Sequence, residues 1–238
     1  MAGTPESRRA FFDLHCHTSY SFDSLAHPRD QVRAAAARGL THLAVTDHDR
    51  IDGALLARDL APEGLAVIVG EEVKTTDGDL ICVFLEQPLA PGRPAVETIA
   101  AAREQGALVG IPPPFARYRN SLLRTEGLAA LAGLVDWVET WNARIVGRAG
   151  NEQAVEFALA HGLPGVAASD AHSTLEVGVA FNTAVDADPS TPAGMLAALA
   201  TLQLTPGRAS YYVRLLTPIA KAVNRGRGNV RIHPPVEP

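Results

Sequence analysis

The segment FFDLHCHTSYSFDS, residues 11–24, starts with apolar residues and continues into two histidines, His15 and His17, that are separated by one position. Its first half is typical of a buried β-strand. Side chains two positions apart on a strand point the same way, so both imidazoles can face one centre. A carboxylate, Asp23, follows six residues after His17. The segment therefore indicates a strand that ends in potential metal ligands, with a plain loop carboxylate as the alternative for Asp23.

Similar apolar segments recur along the chain and alternate with Ala- and Leu-rich segments, most of which begin at Pro or Ser and end at Gly, as helices do. The predicted strands are 11–17, 41–48, 65–73, 80–86, 107–112, 135–142 and 164–172, and the predicted helices are 28–39, 94–106, 121–133 and 150–162. This order predicts an α/β fold with a parallel sheet. The sequence TTDGD (75–79) is typical of a tight turn, so the third and fourth strands could instead form a hairpin.

Composition narrows the class of protein. The chain has 238 residues, a net charge of −5 and two cysteines. We expect one domain over 1–225, a poorly ordered tail over 226–238, and a cytoplasmic protein without a membrane segment. The acidic balance and the lack of a basic stripe argue against a nucleic-acid partner. The oligomeric state is left open.

Reactive side chains gather at the ends of the predicted strands, where parallel α/β folds place their active sites. Seven N/O donors are expected at one rim: His15, His17, Asp23, His48, Glu72, Asp170 and His172. A single structural zinc uses four ligands, so seven donors predict more than one ion, and these donor types suit Zn, Mn or Fe. The other four histidines, at positions 27, 42, 161 and 233, are interpreted as ordinary packing or surface residues.

Some neighbouring residues have plainer interpretations. Asp47 or Asp49 is expected to cap the helix that follows. Glu71 alternates with Glu72, so it should lie in solvent or pair with an arginine. Cys16 faces away from the two histidines and is interpreted as a packed thiol.

Four motifs carry a resemblance to a known family. DLHCHTSYSFDS (13–24), AVTDHD (44–49), GEEV (70–73) and SDAHS (169–173) resemble, in this order, the metal-binding motifs of the PHP (polymerase and histidinol phosphatase) family. The resemblance implies a distorted seven-stranded (β/α)7 TIM-like barrel, two or three divalent metal ions, and phosphoester hydrolysis. It also implies two ligand sets. These are His15, His17, Glu72 and Asp170 for one ion, and Asp23, His48 and His172 for another.

This sequence departs from the family pattern at the positions that would supply ligands to a third ion. Pro113, in IPPPF (111–115), stands where members often carry a histidine, and the strand after Glu72 offers only Ile81 and Cys82. Neither Pro113 nor Ile81 can bind a metal, and a packed thiol is the better interpretation of Cys82. The protein therefore works with two ions or has lost hydrolytic activity.

The leading hypothesis is a hydrolase of a small phosphomonoester, such as a nucleotide or a phosphorylated metabolite. A hydroxide that bridges two ions would be the nucleophile, with no protein nucleophile and no assigned general acid. Arg117, Arg119 and Arg144 are candidates for binding the substrate phosphate. The alternative is a PHP-like metal-binding protein with weak or no hydrolytic activity. An amidohydrolase is disfavoured because neither Lys74 nor Lys221 lies late on a middle strand.

Overall fold

The computed structural model describes residues 8–115 and 125–231. Within these residues the chain forms nine strands: β1 (Arg9–Asp13), β2 (His42–Val45), β3 (Ala66–Lys74), β4 (Asp79–Val83), β5 (Leu108–Ile111), β6 (Trp137–Asn142), β7 (Gly165–Ala168), β8 (Phe181–Val185) and β9 (Gln203–Thr205). The described helices are α1 (Pro28–Ala37), α2 (Asp52–Asp59), α3 (Ala95–Glu104), α4 (Thr125–Leu131), α5 (Ala149–His161), α6 (Pro192–Thr201) and α7 (Leu216–Gly226). Two short 3-10 helices cover Ala132–Leu134 and Tyr212–Leu215.

The strands form one mixed sheet in the order β7-β6-β5-β4-β3-β2-β1-β8-β9. β1, β2 and β3 are parallel to one another, as are β5, β6 and β7, whereas β4 is antiparallel to both of its neighbours. The hairpin alternative for the third and fourth strands is therefore confirmed. Its register pairs Lys74 with Asp79 and Glu72 with Ile81, which places Glu72 and Asp79 on the same face of the sheet.

The sheet is barrel-like, as expected, but the described residues form nine strands where the sequence predicted seven. Each of the seven predicted segments overlaps a strand, although β1 begins and ends earlier than predicted; β8 and β9 are the additional strands. Both pair antiparallel, β8 with β1 and β9 with β8. β8 follows β7 directly through a loop, so it falls outside the strand–helix alternation on which the count of seven depended. β9 follows α6 but has only three residues, all exposed, so it lacks the apolar segment that would predict a strand.

The two ends of the parallel region meet through side chains and isolated bridges. Asn182 of β8 is fully buried. Its amide nitrogen donates to the backbone oxygens of Ala167 (2.8 Å) and Phe12 (3.2 Å), and its oxygen accepts from the Ala167 amide at 2.8 Å. Further along, the His17 amide donates to Ala171 O at 2.8 Å. These contacts connect β7 with β1 and β8 and nearly close the barrel.

The core has two main parts, one on each side of the sheet. An inner core takes residues from every strand between β1 and β8, together with α6: Phe12, Ala44, Ile68, Ile81, Leu108, Trp137, Val166, Ala184 and Met195. An outer core lies between the sheet and helices such as α1 and α3, and it contains Val32, Ile99 and both cysteines. Cys16 and Cys82 are thus packed thiols, as expected, and burial raises the pKa of both. Since most residues of β2 to β7 are buried, the strand ends and loops at one rim are left to carry the polar residues.

The C-terminal helix α7 packs on the loop that follows β1. Asn224, in its last turn, donates from its side chain to the backbone oxygens of Ser21 (3.1 Å) and Ser24 (2.9 Å). The predicted tail begins at position 226, and its first six residues are described; 232–238 lie outside the described residues. That residues 1–225 form one domain stays a prediction. Among the described helices, none has the length and apolar character that crossing a bilayer requires.

Candidate metal centre

The structure brings all seven predicted donors together at one rim of the barrel. They follow β1, β2 and β7 or lie late in β3, so the carboxyl ends of the parallel strands supply them. Isolated bridges from Cys16 to Ala171 and from His48 to Glu72 extend the strand pairing into the rim and fix these positions. Six of the seven residues are buried, and His48 is half-buried. The geometry thus favours a cluster role for Asp23 over that of a plain loop carboxylate.

His15, His17, Glu72 and Asp170 form the tightest group, called the quartet below. The Nε2 atoms of the two histidines lie 2.9 Å apart. His15 Nε2 lies 3.3 Å from Glu72 Oε2 and 3.6 Å from Asp170 Oδ1, and His17 Nε2 lies 3.4 Å from each. A tetrahedral ion with ligand bonds of about 2.0–2.1 Å holds neighbouring ligand atoms roughly 3.3–3.4 Å apart. The four imidazole–carboxylate distances match this spacing, whereas the two Nε2 atoms are closer together than it requires. The ligand atoms of His15, His17 and Asp170 all lie within 4.8 Å of one another, and Glu72 forms a group of that kind with His48 and Asp79.

A second group surrounds Asp23. Its Oδ2 atom lies 3.3 Å from His172 Nε2 and 3.5 Å from His48 Nε2. The ring of His17 stands beside both, with its centroid 4.2 Å from that of His172 and 4.6 Å from that of His48. Asp23, His48 and His172 can therefore hold an ion next to the quartet, with His17 within reach of both positions.

A third group was not predicted from the sequence. His48, Glu72 and Asp79 offer ligand atoms that all lie within 4.8 Å of one another. Asp79 begins β4 and is fully buried. It was interpreted as the last residue of a turn, and only the hairpin register, which sets it on the face of Glu72, could have singled it out. Pro113 belongs to none of the three groups found among the described residues.

Carboxylate and amide side chains of β6 hold the quartet in place. Glu139 Oε1 lies 2.6 Å from His15 Nδ1. Asn142 donates from Nδ2 to Glu139 Oε2 at 2.9 Å and to Asp170 Oδ2 at 3.2 Å. A carboxylate on the far nitrogen of a metal-binding imidazole fixes its tautomer and turns its other nitrogen towards the ion. Glu139 is therefore suited to direct His15 Nε2 into the quartet.

Asp47 anchors the loop after β1 through hydrogen bonds to its side-chain carboxylate. It is fully buried and accepts hydrogen bonds from the Thr18 amide (2.6 Å), the Thr18 hydroxyl (2.6 Å) and the Ser21 hydroxyl (2.7 Å). Ser21 Oγ in turn lies 3.0 Å from His17 Nδ1. A Cβ at Gly53 would come within 2.0 Å of Asp47 Oδ2, so a glycine there lets α2 approach this carboxylate. Asp47 thus positions His17.

The helix-cap role expected for Asp47 or Asp49 is wrong. Helix α2 starts only at Asp52, and its N-cap, Ile51, makes no side-chain hydrogen bond. Asp49 instead adopts a left-handed conformation with φ of 56° and accepts from the Lys74 amide at 2.7 Å. Both carboxylates stabilise the backbone around the rim, because the chain makes a further turn before the helix begins.

The expectation for Glu71 is also wrong. It lies neither in solvent nor beside an arginine among the described residues. It is fully buried, accepts from the Leu89 amide at 3.0 Å, and burial raises its pKa to about 8. Since β3 is covered on both faces, the side chain that points away from the centre enters the outer layer rather than water.

Burial and neighbouring charges set the protonation of the imidazoles. Burial opposes protonation of His15, but the carboxylates of Glu139 and Glu72 prevail and raise its pKa to about 10. Burial, reinforced by the surrounding imidazoles, holds the pKa of His17 well below its usual range. Burial and a neighbouring guanidinium lower the pKa of His172 to about 4. His17 and His172 are therefore neutral near pH 7, as metal ligation requires.

Two buried carboxylates of the cluster, Asp23 and Glu72, are ionised but lack part of their hydrogen bonds. Burial opposes ionisation of Asp23 and Glu72, yet nearby imidazoles hold the pKa of both well below the usual range. Asp23 Oδ1 and Glu72 Oε1 are buried and have no hydrogen-bond partner among the described residues. Buried acceptors of this kind carry a large cost unless something compensates them. A divalent cation would supply both the charge and the missing contacts, so the residues fit the metal that the motifs imply.

Of the three arginines proposed for the substrate phosphate, only Arg144 is described; Arg117 and Arg119 lie outside the described residues. Arg144 is mostly buried, with Nε 3.4 Å from Glu176 Oε1 and Nη2 donating to Thr217 Oγ1 at 2.6 Å. Glu176 also accepts from the His172 amide at 3.1 Å. The Arg144 guanidinium is thus held on the side of the cluster that carries His172.

More than half of the chain matches one known domain family. Residues 13–136 match the PHP domain, and residues 148–203 match the PHP-associated region that accompanies it. The chain belongs to the PHP domain family. The resemblance inferred from the four motifs is therefore confirmed.

PHP relatives and neighbours differ in how much of the chain they share. An uncharacterized protein of Methanocaldococcus jannaschii is 36% identical over 142 residues, which are 55% of this chain and 81% of that protein. A 5'-3' exoribonuclease of Haemophilus influenzae is 42% identical over 65 residues, 27% of this chain and 23% of that protein. A two-domain protein of Bacteroides vulgatus, described as containing a predicted PHP-like metal-dependent phosphoesterase, superposes with a TM-score of 0.71 at 19% identity. That superposition covers 84% of this chain and 66% of that one, so it shows a shared fold.

Proposed function

We propose that this PHP protein is a metal-dependent hydrolase of a small phosphomonoester, such as a nucleotide or a phosphorylated metabolite. The observation that carries the proposal is the quartet, in which each of two imidazoles lies 3.3–3.6 Å from each of two carboxylates, close to the separation of ligand atoms around one ion. One ion would bind to the quartet, and a second to Asp23, His48 and His172. Zn, Mn or Fe suits these donors. Two such ions side by side activate water near neutral pH and neutralise the oxygens of a phosphate.

The protein's own residues have defined tasks in this proposal. Glu139 orients the His15 ring, Asp47 orients His17 through Ser21, and the Asp170 backbone oxygen, 2.8 Å from His172 Nδ1, orients His172. Each contact leaves Nε2 directed at an ion. Hydrolysis then needs no serine or cysteine nucleophile.

Arg144 is proposed to bind the substrate phosphate. Glu176 and Thr217 hold its guanidinium in a fixed orientation, which favours forked contacts with phosphate oxygens. Its position beside His172 sets it next to the second ion. Arg117 and Arg119 remain predictions for the same task.

The shape of the rim supports a small substrate. A cavity of about 310 Å³ adjoins the cluster and is lined by His48, Phe22 and residues 229–231, among others. This volume is at the lower end of the range typical of small-molecule sites, about 300–1,000 Å³. Together with the net charge of −5, it favours a small phosphorylated molecule over a nucleic-acid polymer, although the relatives include error-prone DNA polymerases and a 5'-3' exoribonuclease.

A second candidate function is metal binding without hydrolysis. The substitution that favours it is Pro113, which removes a histidine that the family resemblance leads one to expect. The seven other donors are all present and clustered, so the hydrolase remains the stronger proposal.

Metal content and hydrolysis measured on one preparation test the proposal. The protein is loaded with Mn²⁺ or Zn²⁺, desalted and analysed for metal, then assayed with p-nitrophenyl phosphate, nucleoside monophosphates, sugar phosphates and a short RNA. We expect bound ions and turnover of monoesters that is lost with a chelator and restored by metal. Bound ions without turnover would favour the binding protein, and preferential cleavage of the RNA would overturn the substrate class.

A further inference from the structure

The third group of donors already has a cationic neighbour. Arg231 Nη2 lies 2.8 Å from Asp79 Oδ1, and Arg231 Nε lies 3.6 Å from Asp49 Oδ2. The Lys74 ammonium lies 3.4 Å from the same oxygen of Asp79. Lys74 is the cross-strand partner of Asp79, whereas Arg231 reaches the group from beyond the last helix. Strand pairing explains the position of Lys74, whereas the position of Arg231 depends on how the chain packs after α7.

The segment that carries Arg231 is fixed to the loop that supplies Asp23. After α7, Gly228 turns the chain with φ of 77°, and Asn229 donates from its side chain to Tyr20 O at 3.0 Å. The Asn229 amide donates to Asn224 O at 2.8 Å. The Arg231 side chain then passes inward, with its guanidinium carbon 5.9 Å from the centroid of the Phe22 ring and only 12% of the side chain exposed. Several independent contacts thus direct this arginine into the rim.

The charges in this part of the rim are complementary to a guanidinium. Asp79 is fully buried; its Oδ1 atom pairs with Arg231 and Lys74, and its Oδ2 atom has no hydrogen-bond partner among the described residues. Glu72 lies in the same group. Burial opposes the charge of Arg231, but the carboxylates of Asp79, Glu72 and Asp49 raise its pKa above the ordinary value. Arginine keeps its charge in proteins, so it can neutralise these carboxylates at any working pH.

We propose that the Arg231 guanidinium is the resident cation of the group formed by His48, Glu72 and Asp79, and that it keeps a further metal ion from binding to this group. This inference rests on the proposed two-ion centre and adds the C-terminal segment to it. The chain then holds ions in the quartet and at Asp23, while Arg231 supplies the third positive charge. The same segment forms one wall of the substrate cavity.

Ion counting in matched variants tests the assignment. Arg231→Met removes the guanidinium but keeps an apolar side chain of similar length, and we expect it to retain one more Mn²⁺ or Zn²⁺ per chain than the parent after loading and desalting. Arg231→Lys keeps a positive charge and should retain the parental number. Arg225→Met removes an exposed arginine of α7 and should also match the parent. Asp79→Asn combined with Arg231→Met should abolish the additional ion, because it removes a ligand.

The outcomes separate this inference from the proposed function. An Arg231→Met protein that folds, as judged by its circular dichroism, yet holds the parental number of ions overturns the assignment and leaves the hydrolase proposal intact. A parent that already binds three ions overturns it as well. Parental ions and an additional ion in Arg231→Met, without hydrolysis by either protein, would support the assignment and refute the enzyme. If Arg231→Met does not fold, Arg231→Gln, which keeps hydrogen-bonding capacity without the charge, takes its place with the same expected gain.

Discussion

The quartet and the Asp79 group are both clusters of metal-capable side chains, but they differ in their cationic neighbours. In the quartet, Glu72 Oε2 lies 3.3 Å from His15 Nε2 and 3.4 Å from His17 Nε2, a spacing that suits one ion bound by all three. In the Asp79 group, a guanidinium already lies 2.8 Å from the carboxylate. Residue type alone therefore does not identify a metal site. The distances between ligand atoms and the charge of the neighbouring side chains indicate which cluster would bind an ion.

The largest effect should come from removing a quartet ligand. His15→Ala takes away one of four donors and leaves Glu139 Oε1 buried without its imidazole partner. We expect loss of the tightly held ion and a fall in hydrolysis of roughly 10³-fold or more, since the ions carry the chemistry. Metal analysis and initial rates on the same sample measure both. His161→Ala, at an exposed position in the last turn of α5, is the control, and parental activity in His15→Ala would remove the quartet from the mechanism.

An intermediate effect is expected from Glu139, which orients a quartet ligand but is not itself one of the four ligands. Glu139→Gln keeps a hydrogen-bond acceptor for His15 Nδ1 but removes the negative charge that strengthens the imidazole as a ligand. Loss of such a partner typically lowers metal affinity by about 10–100-fold. Competition with a chromogenic chelator measures the dissociation constant.

The matched control is Glu156→Gln, which removes an equal charge at an exposed position of α5. If Glu139→Gln binds metal as tightly as this control does, the orienting contact has no role in affinity. A loss of affinity confined to the first ion would extend the contrast with the Asp79 group, which Glu139 does not touch in any described contact.

The smallest effect concerns a histidine away from both clusters. His42 begins β2, with Nε2 2.9 Å from Ser190 Oγ and 3.4 Å from Asp188 Oδ1. Burial lowers its pKa below the ordinary value, and Asp188 offsets this only in part. The unfolded chain, with a histidine pKa of about 6.5, then binds more protons than the folded one. The free energy of unfolding should therefore fall as the pH drops below about 6.5.

Urea unfolding of the parent and of His42→Gln at pH 7.5 and pH 5.5 measures this contribution. We expect the parent to lose more stability on acidification than the variant, by a small margin, and hydrolysis at pH 7.5 to be unchanged. Equal losses in the two proteins would contradict the assignment of His42 as a buried, reluctantly protonated residue. Changed ion retention would contradict its separation from the metal centre.

The rim shows which side-chain positions a sequence pattern can predict and which it cannot. His15 and His17 share a direction because strand side chains repeat every two residues, and the motif spacing placed five further donors with them. The same alternation correctly set Cys16 into the outer core, but it could not tell that the side opposite Glu72 is buried, so Glu71 was expected in solvent or beside an arginine. Asp79 looked like a turn residue until the hairpin register set it on the face of Glu72.

The sequence by itself determined the β/α alternation, the seven donors at the strand ends and the family to which the chain belongs, because these follow from local periodicity and short motifs. The tertiary structure decided which donors lie within reach of one another, since that depends on barrel closure through Asn182 and the bridge at Ala171. It also decided that Arg231 enters the rim, because an arginine in a polar tail carries no local signal of its partner. Convergence of residues far apart in the chain is a property of packing, and no single segment contains it.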